Sequence, residues 1–134
     1  MILFICTGNT CRSPLAAAMA RARGWDAQSA GLSAIDGQNA SLNAQRAAKR
    51  RGLDLSAHRA RRVTGAILEQ AERIYTMTEE QLDVLCARFP SYAKRADFLW
   101  PPVPDPFGGG ESDYEDCADT LSVALDGIAG EVGP

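Results

Sequence analysis

The sequence opens with MILFICTGNTCRSP (residues 1–14), and this stretch decides the fold. Residues 2–5 (ILFI) are a continuous apolar run, which is typical of a strand buried on both faces of a parallel sheet. Gly8 allows a turn directly after that strand. Pro14 suits the first turn of a helix, for which Ser13 is the predicted N-cap. The stretch therefore predicts a strand, a glycine turn and a helix.

The same alternation continues along the chain. Further strands are expected over residues 25–29, 73–77 and 96–100, and helices over residues 13–23, 39–51, 64–70, 78–89 and 112–130. Strands that alternate with helices predict an α/β fold, here a single three-layer domain over residues 1–134 with a four-stranded parallel sheet flanked by helices. Ligands bind such sheets beyond the carboxyl ends of the strands, where the first turn lies.

Length and composition limit the class of protein. With 134 residues, 46% of them hydrophobic, the chain suffices for one compact domain with a core. No apolar run approaches the roughly 18 residues of a membrane span, and residues 1–6 lack the basic segment of a signal peptide. We therefore expect a cytoplasmic protein without membrane association. In that compartment its four cysteines are expected to be free thiols, at Cys6, Cys11, Cys86 and Cys117.

Charge is distributed unevenly along the sequence. Residues 1–96 hold all 14 Lys and Arg but only eight acids, whereas residues 97–134 hold nine acids and no base. Seven bases fall between Arg46 and Arg62, either on a solvated helix and loop or as a basic rim that attracts an anionic substrate. That segment contains no aromatic residue for base stacking, and the net charge is −3, so no nucleic-acid partner is expected.

Cys6 and Arg12 are the first candidates for a chemical role. They stand six positions apart across the glycine turn, between a buried strand and the start of a helix. The backbone N–H groups of such a turn converge on one point, and the helix dipole and the guanidinium add positive charge. A tetrahedral oxyanion such as phosphate would fit there, with the Cys6 sulfur beneath the phosphorus. The same field favours a thiolate, to which Ser13 can donate a hydrogen bond.

The residues also exclude other uses of this turn. No Gly-Lys-Ser or Gly-Lys-Thr follows it, which excludes a Walker-type nucleotide loop. Cys6 and Cys11 lack the usual spacing of zinc ligands, and His58 is the only histidine, so neither a metal nor any other cofactor is expected. A thiolate nucleophile needs an acid to protonate its leaving group, and Asp105, in a loop rich in Pro and Gly after a strand, is the best candidate.

The segments that carry this chemistry resemble one known family. They are CTGNTCRSP (residues 6–14), a late DPF (residues 105–107), QSAG (residues 28–31) and SAHRAR (residues 56–61). Together they are similar to the low-molecular-weight protein tyrosine phosphatases over essentially the whole chain. The resemblance implies a phosphatase reaction with a phosphocysteine intermediate.

The resemblance also implies the role of each residue. Cys6 would attack phosphorus, Asp105 would protonate the leaving atom, and a water activated by the same Asp105 would hydrolyse the intermediate. Arg12 would be the third catalytic residue and, with the loop amides, would hold the equatorial oxygens of the phosphate. The substrate would be bound by the turn and its surroundings, through Thr7, Gly8, Asn9, Thr10, Cys11, Ser13 and Phe107. A hydrogen-bond network of Asn9, Ser29 and His58 would hold Asn9 in a strained conformation and shape the loop.

Two positions determine the expected substrate. After the loop asparagine, where tyrosine-directed members have a bulky aliphatic residue, this chain has Thr10; after Asp-Pro, where they often have paired tyrosines, it has FGGG (residues 107–110). Both features resemble the bacterial protein arginine phosphatases of this family. We therefore expect a monomer that acts on phosphorylated proteins and prefers phosphoarginine. One alternative is a phosphatase that prefers phosphotyrosine. A second is a thiol-linked arsenate reductase, although Cys86 lacks the close companion cysteine that such an enzyme needs. A third is an anion-binding module without catalytic activity.

Cys11 invites a redox hypothesis. An oxidised Cys6 would be captured as a Cys6–Cys11 disulfide, which protects it from irreversible oxidation. The alternative is that Cys11 is only a small buried residue at the start of the helix. Tyr114, within an acidic segment, is interpreted as an exposed helix residue.

Overall fold

The computed structural model describes residues 1–132, so the last two residues of the domain expected over 1–134 lie outside the described residues. The elements are β1 (Ile2–Cys6), α1 (Arg12–Ala22), β2 (Ala27–Gly31), α2 (Leu42–Arg50), α3 (Gly65–Glu69), β3 (Arg73–Thr76), α4 (Glu79–Arg88), β4 (Ala96–Phe98) and α5 (Glu111–Val132). A 3₁₀ helix (Pro90–Arg95) directly precedes β4.

The four strands form one sheet in the order β2-β1-β3-β4, and every neighbouring pair is parallel. β1 lies in the interior of the sheet, where Ile2 pairs with Ala27 on one side and with Arg73 on the other. All residues of β1 are buried, as the continuous apolar run predicts. The predicted α/β fold with a four-stranded parallel sheet is therefore confirmed, and β1 and β3 end at the same edge.

Helices cover both faces of the sheet. Phe4 points to the face covered by α1, α2 and α5, where it joins a core that includes Leu15 and Leu121. Its neighbours Leu3 and Ile5 point to the opposite face, into a second core formed with α3 and α4. Burying one such side chain stabilises the fold by about 1.5–3 kcal/mol. The strand that ends at the nucleophile candidate is thus held from both sides.

The start of α1 differs from the sequence expectation. The helix begins at Arg12, and its N-cap is Cys11 rather than Ser13, without a side-chain cap. The hydroxyl of Ser13 is engaged elsewhere, 2.9 Å from Sγ of Cys6 and 2.8 Å from the Asn9 side-chain amide nitrogen. Strand β2 likewise runs over Ala27–Gly31, two residues later than expected.

The uneven charge is paired between α2 and α5. Arg50 lies 2.6 Å from Glu115 and 3.0 Å from Glu111, and Arg51 lies 2.5 Å from Asp119. These bases are therefore not a free basic rim but one side of an inter-helix seam. No helix among residues 1–132 is both long enough and apolar enough to span a membrane.

Candidate active site

The thiol of Cys6 lies at the base of residues 7–11, the 7–11 loop, which connects β1 to α1. Cys6 is only 3% exposed. Its Sγ accepts a hydrogen bond from the backbone N–H of Asn9 at 3.2 Å and lies 2.9 Å from Oγ of Ser13. Oγ of Ser13 accepts a hydrogen bond from the Asn9 side chain, and its proton has two acceptors within reach, of which Sγ of Cys6 is nearer than the Ala30 backbone oxygen at 3.5 Å. Donors directed at the sulfur are what a nucleophilic thiolate needs.

The backbone of the 7–11 loop offers further donors. Within residues 1–132, the N–H groups of Gly8, Thr10 and Cys11 have no intramolecular acceptor. They precede the first turn of α1, where the helix dipole adds partial positive charge. Unpaired N–H groups at a helix N-terminus form a ready binding site for an oxyanion.

Arg12 and Asp105 face each other across this loop. The guanidinium of Arg12 is 7% exposed, and its Nη1 donates to the backbone carbonyl of Val103 at 3.0 Å. Its Nη2 lies 3.8 Å from Oδ2 of Asp105. The carboxylate is 56% exposed, and its Oδ1 accepts a hydrogen bond from the backbone N–H of Phe107 at 3.0 Å. The buried cation therefore sits under a carboxylate that water can reach.

These groups surround one cavity of about 290 Å³. Its base is the 7–11 loop with Cys6, and its walls are contributed by Thr10, Gln38, Asp105 and Phe107. The structure thus brings the three predicted catalytic residues together at one small cavity. Phe107 is 75% exposed, so one wall of the entrance is an aromatic ring open to solvent.

Asn9 is the centre of a second group of predicted residues. Its backbone has φ of 57°, in the left-handed region that residues other than glycine rarely adopt and that asparagine tolerates better than most. Its side-chain Nδ2 donates to Oγ of Ser13 at 2.8 Å and to Oγ of Ser29 at 2.9 Å, while its Oδ1 accepts from the backbone N–H of Arg61 at 3.0 Å. Nε2 of His58 lies 2.7 Å from its backbone oxygen. The structure therefore places Asn9, Ser29 and His58 in one hydrogen-bonded group.

The protonation of His58 follows from this contact. The backbone oxygen of Asn9 can only accept, so Nε2 of His58 carries the proton. Burial lowers the pKa of His58 below its usual value of 6.5, and the hydrogen bond to Asn9 opposes this only in part. The neutral imidazole of His58, protonated at Nε2, is therefore the form that matches both its burial and its hydrogen bond to Asn9.

Cys11 points away from the thiol of Cys6 toward α2 and α5. Its Sγ donates to Oγ of Ser41 at 3.4 Å and lies 3.5 Å from the hydroxyl of Tyr114. The interpretation of Tyr114 as an exposed residue is wrong, because it is 3% exposed and burial raises its pKa to about 12. Burial likewise raises the pKa of Cys117 to about 12, which leaves that thiol protonated.

Three residues near the site were not expected from the sequence. Gln38 borders the cavity, from a loop without regular structure. Gly31 lies behind the 7–11 loop, where a Cβ would come within 2.8 Å of the Thr7 carbonyl. Gln81 reaches Oγ1 of Thr7 from α4. Of the three, only Gln81 carries a local sequence signal, because it follows the helix N-cap Thr78 by three residues, as the second residue of a capping box does.

Known proteins resemble this chain along nearly its whole length. The sequence profile of the family described as "Low molecular weight phosphotyrosine protein phosphatase" matches residues 1–133. The chain is 35% identical to a protein-arginine-phosphatase of Geobacillus stearothermophilus, over 96% of this chain and 93% of that protein. It is 30% identical to an arsenate reductase of Staphylococcus aureus, over 93% of this chain and 92% of that protein.

Solved structures share the fold as closely. The YwlE arginine phosphatase from Geobacillus stearothermophilus matches with a TM-score of 0.92 and 32% identity, over 97% of this chain and 90% of that one. A low molecular weight protein tyrosine phosphatase from T. tengcongensis matches with a TM-score of 0.89 and 34% identity, over 97% of both chains.

Proposed function

Since the chain belongs to the low molecular weight phosphotyrosine protein phosphatase family, whose members are cysteine-dependent phosphatases, we propose that it dephosphorylates arginine side chains of proteins through a phosphocysteine. The observation that carries this proposal is the single cavity of about 290 Å³ that Cys6, Arg12 and Asp105 share. The proposed enzyme is a cytoplasmic monomer that acts on phosphoproteins without a metal or other cofactor.

The first step transfers the phosphoryl group to the enzyme. Sγ of Cys6 attacks phosphorus, so that an S–P bond forms while the P–N bond to the arginine side chain breaks. The unpaired N–H groups of the 7–11 loop and the guanidinium of Arg12 hold the remaining three oxygens as charge shifts onto them. The carboxyl group of Asp105 gives its proton to the departing nitrogen, which leaves as part of a guanidinium that pairs with the resulting carboxylate.

The second step frees the enzyme. A water molecule attacks phosphorus and gives a proton to the carboxylate of Asp105, while the S–P bond breaks. Inorganic phosphate leaves, the thiolate of Cys6 returns, and Asp105 is again an acid. The exposure of Asp105 suits both steps, since the carboxyl group must exchange protons with water and substrate.

The preference for phosphoarginine rests on the cavity wall. Thr10 borders the cavity with a short polar side chain, and among the described residues 1–132 Phe107 is the one aromatic residue that borders it. A planar guanidinium can pair with the carboxylate of Asp105 and lie over the ring of Phe107. The phenol ring of phosphotyrosine would be bound less strongly, because only the ring of Phe107 is available to stack against it. The protein-arginine-phosphatase relative is consistent with this preference.

The proposal is tested by comparing two substrates. Purified protein is given phosphoarginine and phosphotyrosine in the same peptide sequence, and kcat/KM is measured for each. We expect the phosphoarginine peptide to be hydrolysed with the higher kcat/KM, and Cys6→Ser to hydrolyse neither. A large advantage for phosphotyrosine would instead make the alternative, a phosphotyrosine phosphatase, correct.

Arsenate reduction is a second candidate because of the Staphylococcus aureus relative. It would need further thiols to carry electrons from Cys6. Cys86 is in α4, next to Leu85 in the core on one face of the sheet, whereas Cys117 is in the core on the other face. The two thiols therefore cannot meet, which argues against a relay between them. Arsenate turnover in the presence of thioredoxin would reverse this conclusion.

We also propose a reversible oxidation of the nucleophile. Peroxide converts the Cys6 thiolate to a sulfenic acid, the thiol of Cys11 attacks that sulfur, and water leaves as the disulfide forms. Cys11 is the buried last residue of the 7–11 loop, its Sγ is held by Ser41 and Tyr114, and it must turn from them to reach Cys6. A dithiol reductant restores both thiols.

A further inference from the structure

The side-chain amide of Gln81 joins two parts of the site, and the proposed reaction gives it no role. Gln81 lies in the first turn of α4 and is 7% exposed. Its Oε1 accepts a hydrogen bond from the backbone N–H of Met77 at 3.0 Å, and its Nε2 donates to Oγ1 of Thr7 at 3.2 Å. The backbone N–H of Met77 can only donate, so the amide atom that faces it is the oxygen. The orientation of the Gln81 amide is thereby fixed.

This orientation determines where the hydroxyl proton of Thr7 can go. Nε2 of Gln81 can only donate, so Oγ1 of Thr7 accepts and its own proton points elsewhere. No other hydrogen-bond partner of Oγ1 is present within residues 1–132. Thr7 is exposed and borders the cavity above Cys6. Its hydroxyl proton is therefore available to an oxygen atom in that cavity.

Gln81 also closes a ring of hydrogen bonds around the 7–11 loop. On its far side, the carbonyl of Met77 accepts from the backbone N–H of Val103 at 2.9 Å. The carbonyl of Val103 in turn accepts from Nη1 of Arg12 at 3.0 Å. Thr7 is the first residue of the loop, and Arg12 directly follows its last residue. These hydrogen bonds therefore connect two groups that can donate to an oxyanion, the hydroxyl of Thr7 and the guanidinium of Arg12. Gln81 makes the bond that reaches Thr7.

We propose that Gln81 is a positioning residue, which orients the hydroxyl of Thr7 so that it donates to an oxygen of a phosphate group bound in the cavity. The inference rests on the proposed phosphatase function, because it requires a phosphate group above Cys6. A hydrogen bond to a charged oxygen is worth about a tenfold change in affinity or somewhat more. The Thr7 hydroxyl thus adds a side-chain donor to the backbone donors of the loop.

The test measures the affinity for inorganic phosphate by calorimetry, together with kcat and KM for p-nitrophenyl phosphate. Thr7→Val keeps the shape of the side chain and removes the donor, so we expect phosphate to bind about tenfold more weakly. Thr7→Ser keeps the hydroxyl and should therefore retain most of the phosphate affinity that Thr7→Val loses. Gln81→Glu still accepts from Met77 but also accepts the proton of Thr7, which turns the hydroxyl away. It should weaken phosphate binding by a similar factor.

A double variant separates this effect from simple charge repulsion. If Gln81 acts through the hydroxyl, Gln81→Glu in the Thr7→Val background should change the phosphate affinity little further. An equal loss in both backgrounds would show that the new carboxylate repels phosphate directly, and would overturn the proposal. Gln81→Leu, which removes both bonds, should likewise add little to Thr7→Val in phosphate affinity. Gln70→Glu, a change at an exposed glutamine, is the matched control and should leave phosphate affinity unchanged.

The outcomes distinguish this inference from the proposed function. Parent protein that binds no phosphate and hydrolyses no p-nitrophenyl phosphate would contradict the function itself. Parent protein that binds phosphate, with Thr7→Val binding it equally well, would contradict only the role of Gln81 and Thr7. Because Thr7 is exposed, its variants are expected to fold, and circular dichroism checks this.

Discussion

The guanidinium of Arg12 and the carboxylate of Asp105 meet across the cavity, with Nη2 3.8 Å from Oδ2. The arginine is held in place by the carbonyl of Val103, whereas the aspartate is open to solvent. The pair is therefore a fixed cation and an exposed anion, and the anion competes with phosphate for that cation. Asp105 contributes to catalysis and at the same time opposes the binding of a phosphate group.

The first prediction separates these two effects. Asp105→Asn should lower kcat by about 10²–10⁴-fold, because the departing group loses its proton donor. The same variant should bind inorganic phosphate more tightly than the parent, because the competing negative charge is gone. Steady-state kinetics and calorimetry measure the two quantities. Asp83→Asn, at an exposed position on α4, is the control and should change neither. Weaker phosphate binding by Asp105→Asn would contradict the competition.

Thr10 provides a prediction about the substrate. Thr10→Ile places an apolar branch on the cavity wall beside Asp105, which favours a phenol ring over a guanidinium. The ratio of kcat/KM for phosphotyrosine to that for phosphoarginine should rise about tenfold or more. Thr10→Ser is the control and should keep the parent ratio. An unchanged ratio in Thr10→Ile would mean that this residue does not select the substrate.

Gly31 gives a prediction about stability. Its Cβ position lies 2.8 Å from the Thr7 carbonyl and 3.0 Å from Cβ of Asn9, so Gly31→Ala must displace the 7–11 loop. We expect a loss of about 1–3 kcal/mol in the free energy of unfolding, with weaker phosphate binding. Gly130→Ala is the same substitution in open space on α5 and should stabilise the fold by up to about 1 kcal/mol. Urea denaturation measures both. Equal effects of the two variants would contradict the close packing.

The lowered pKa of His58 predicts how the free energy of unfolding depends on pH. Its pKa in the folded protein is lowered from 6.5, so the unfolded chain binds the proton more readily. Its contribution to stability is therefore complete above about pH 6.5 and is lost as the pH falls toward the lowered pKa. Denaturation between about pH 5 and 8 should show this loss in the parent and less of it in His58→Asn. Because the sequence has one histidine, its NMR titration is unambiguous, and a pKa at or above 6.5 would refute the expectation.

The proposed disulfide with Cys11 predicts that oxidation of Cys6 is reversible. After peroxide treatment and reduction with dithiothreitol, the parent should recover most of its activity, whereas Cys11→Ser should recover much less because Cys6 proceeds to irreversible acids. Cys86→Ser, in α4, is the control and should recover as the parent does. If Cys11→Ser recovers fully, Cys11 is only a buried residue at the helix start.

The fold could be predicted because its main signals are local. The apolar run 2–5 and the glycine turn lie within one short segment, and the structure has the predicted strand, turn and helix there. The N-cap was misplaced because Ser13 has two possible uses, and the packing of Asn9 and Cys6 selects the one that is not local. The pairing of Arg50 could not be predicted for the same reason, since its partners are on a helix that lies far along the sequence.

The residues of the candidate site also differ in whether a local sequence signal predicts them. Cys6 and Arg12 follow from one loop, whereas Gln38 reaches the cavity from a loop with no regular pattern to mark it. Gln81 carries a local signal, the capping box, but its amide accepts from Met77 rather than from the N-cap residue and turns its nitrogen to Thr7. A local pattern can place such a residue in a helix but cannot reveal which loop the rest of its side chain will reach.

The inner position of β1 has a consequence for biosynthesis. A ribosome makes Cys6 at the end of the first strand, but Asp105 and α5, which complete the site around it, follow only after all four strands have been made. At about 5–20 residues per second, this interval lasts on the order of 5–20 s. During translation, the reactive sulfur therefore emerges without its acid partner and without the helix that covers its side of the sheet. Hydrolysis must therefore wait until Asp105 and α5 have been made and have folded onto the sheet.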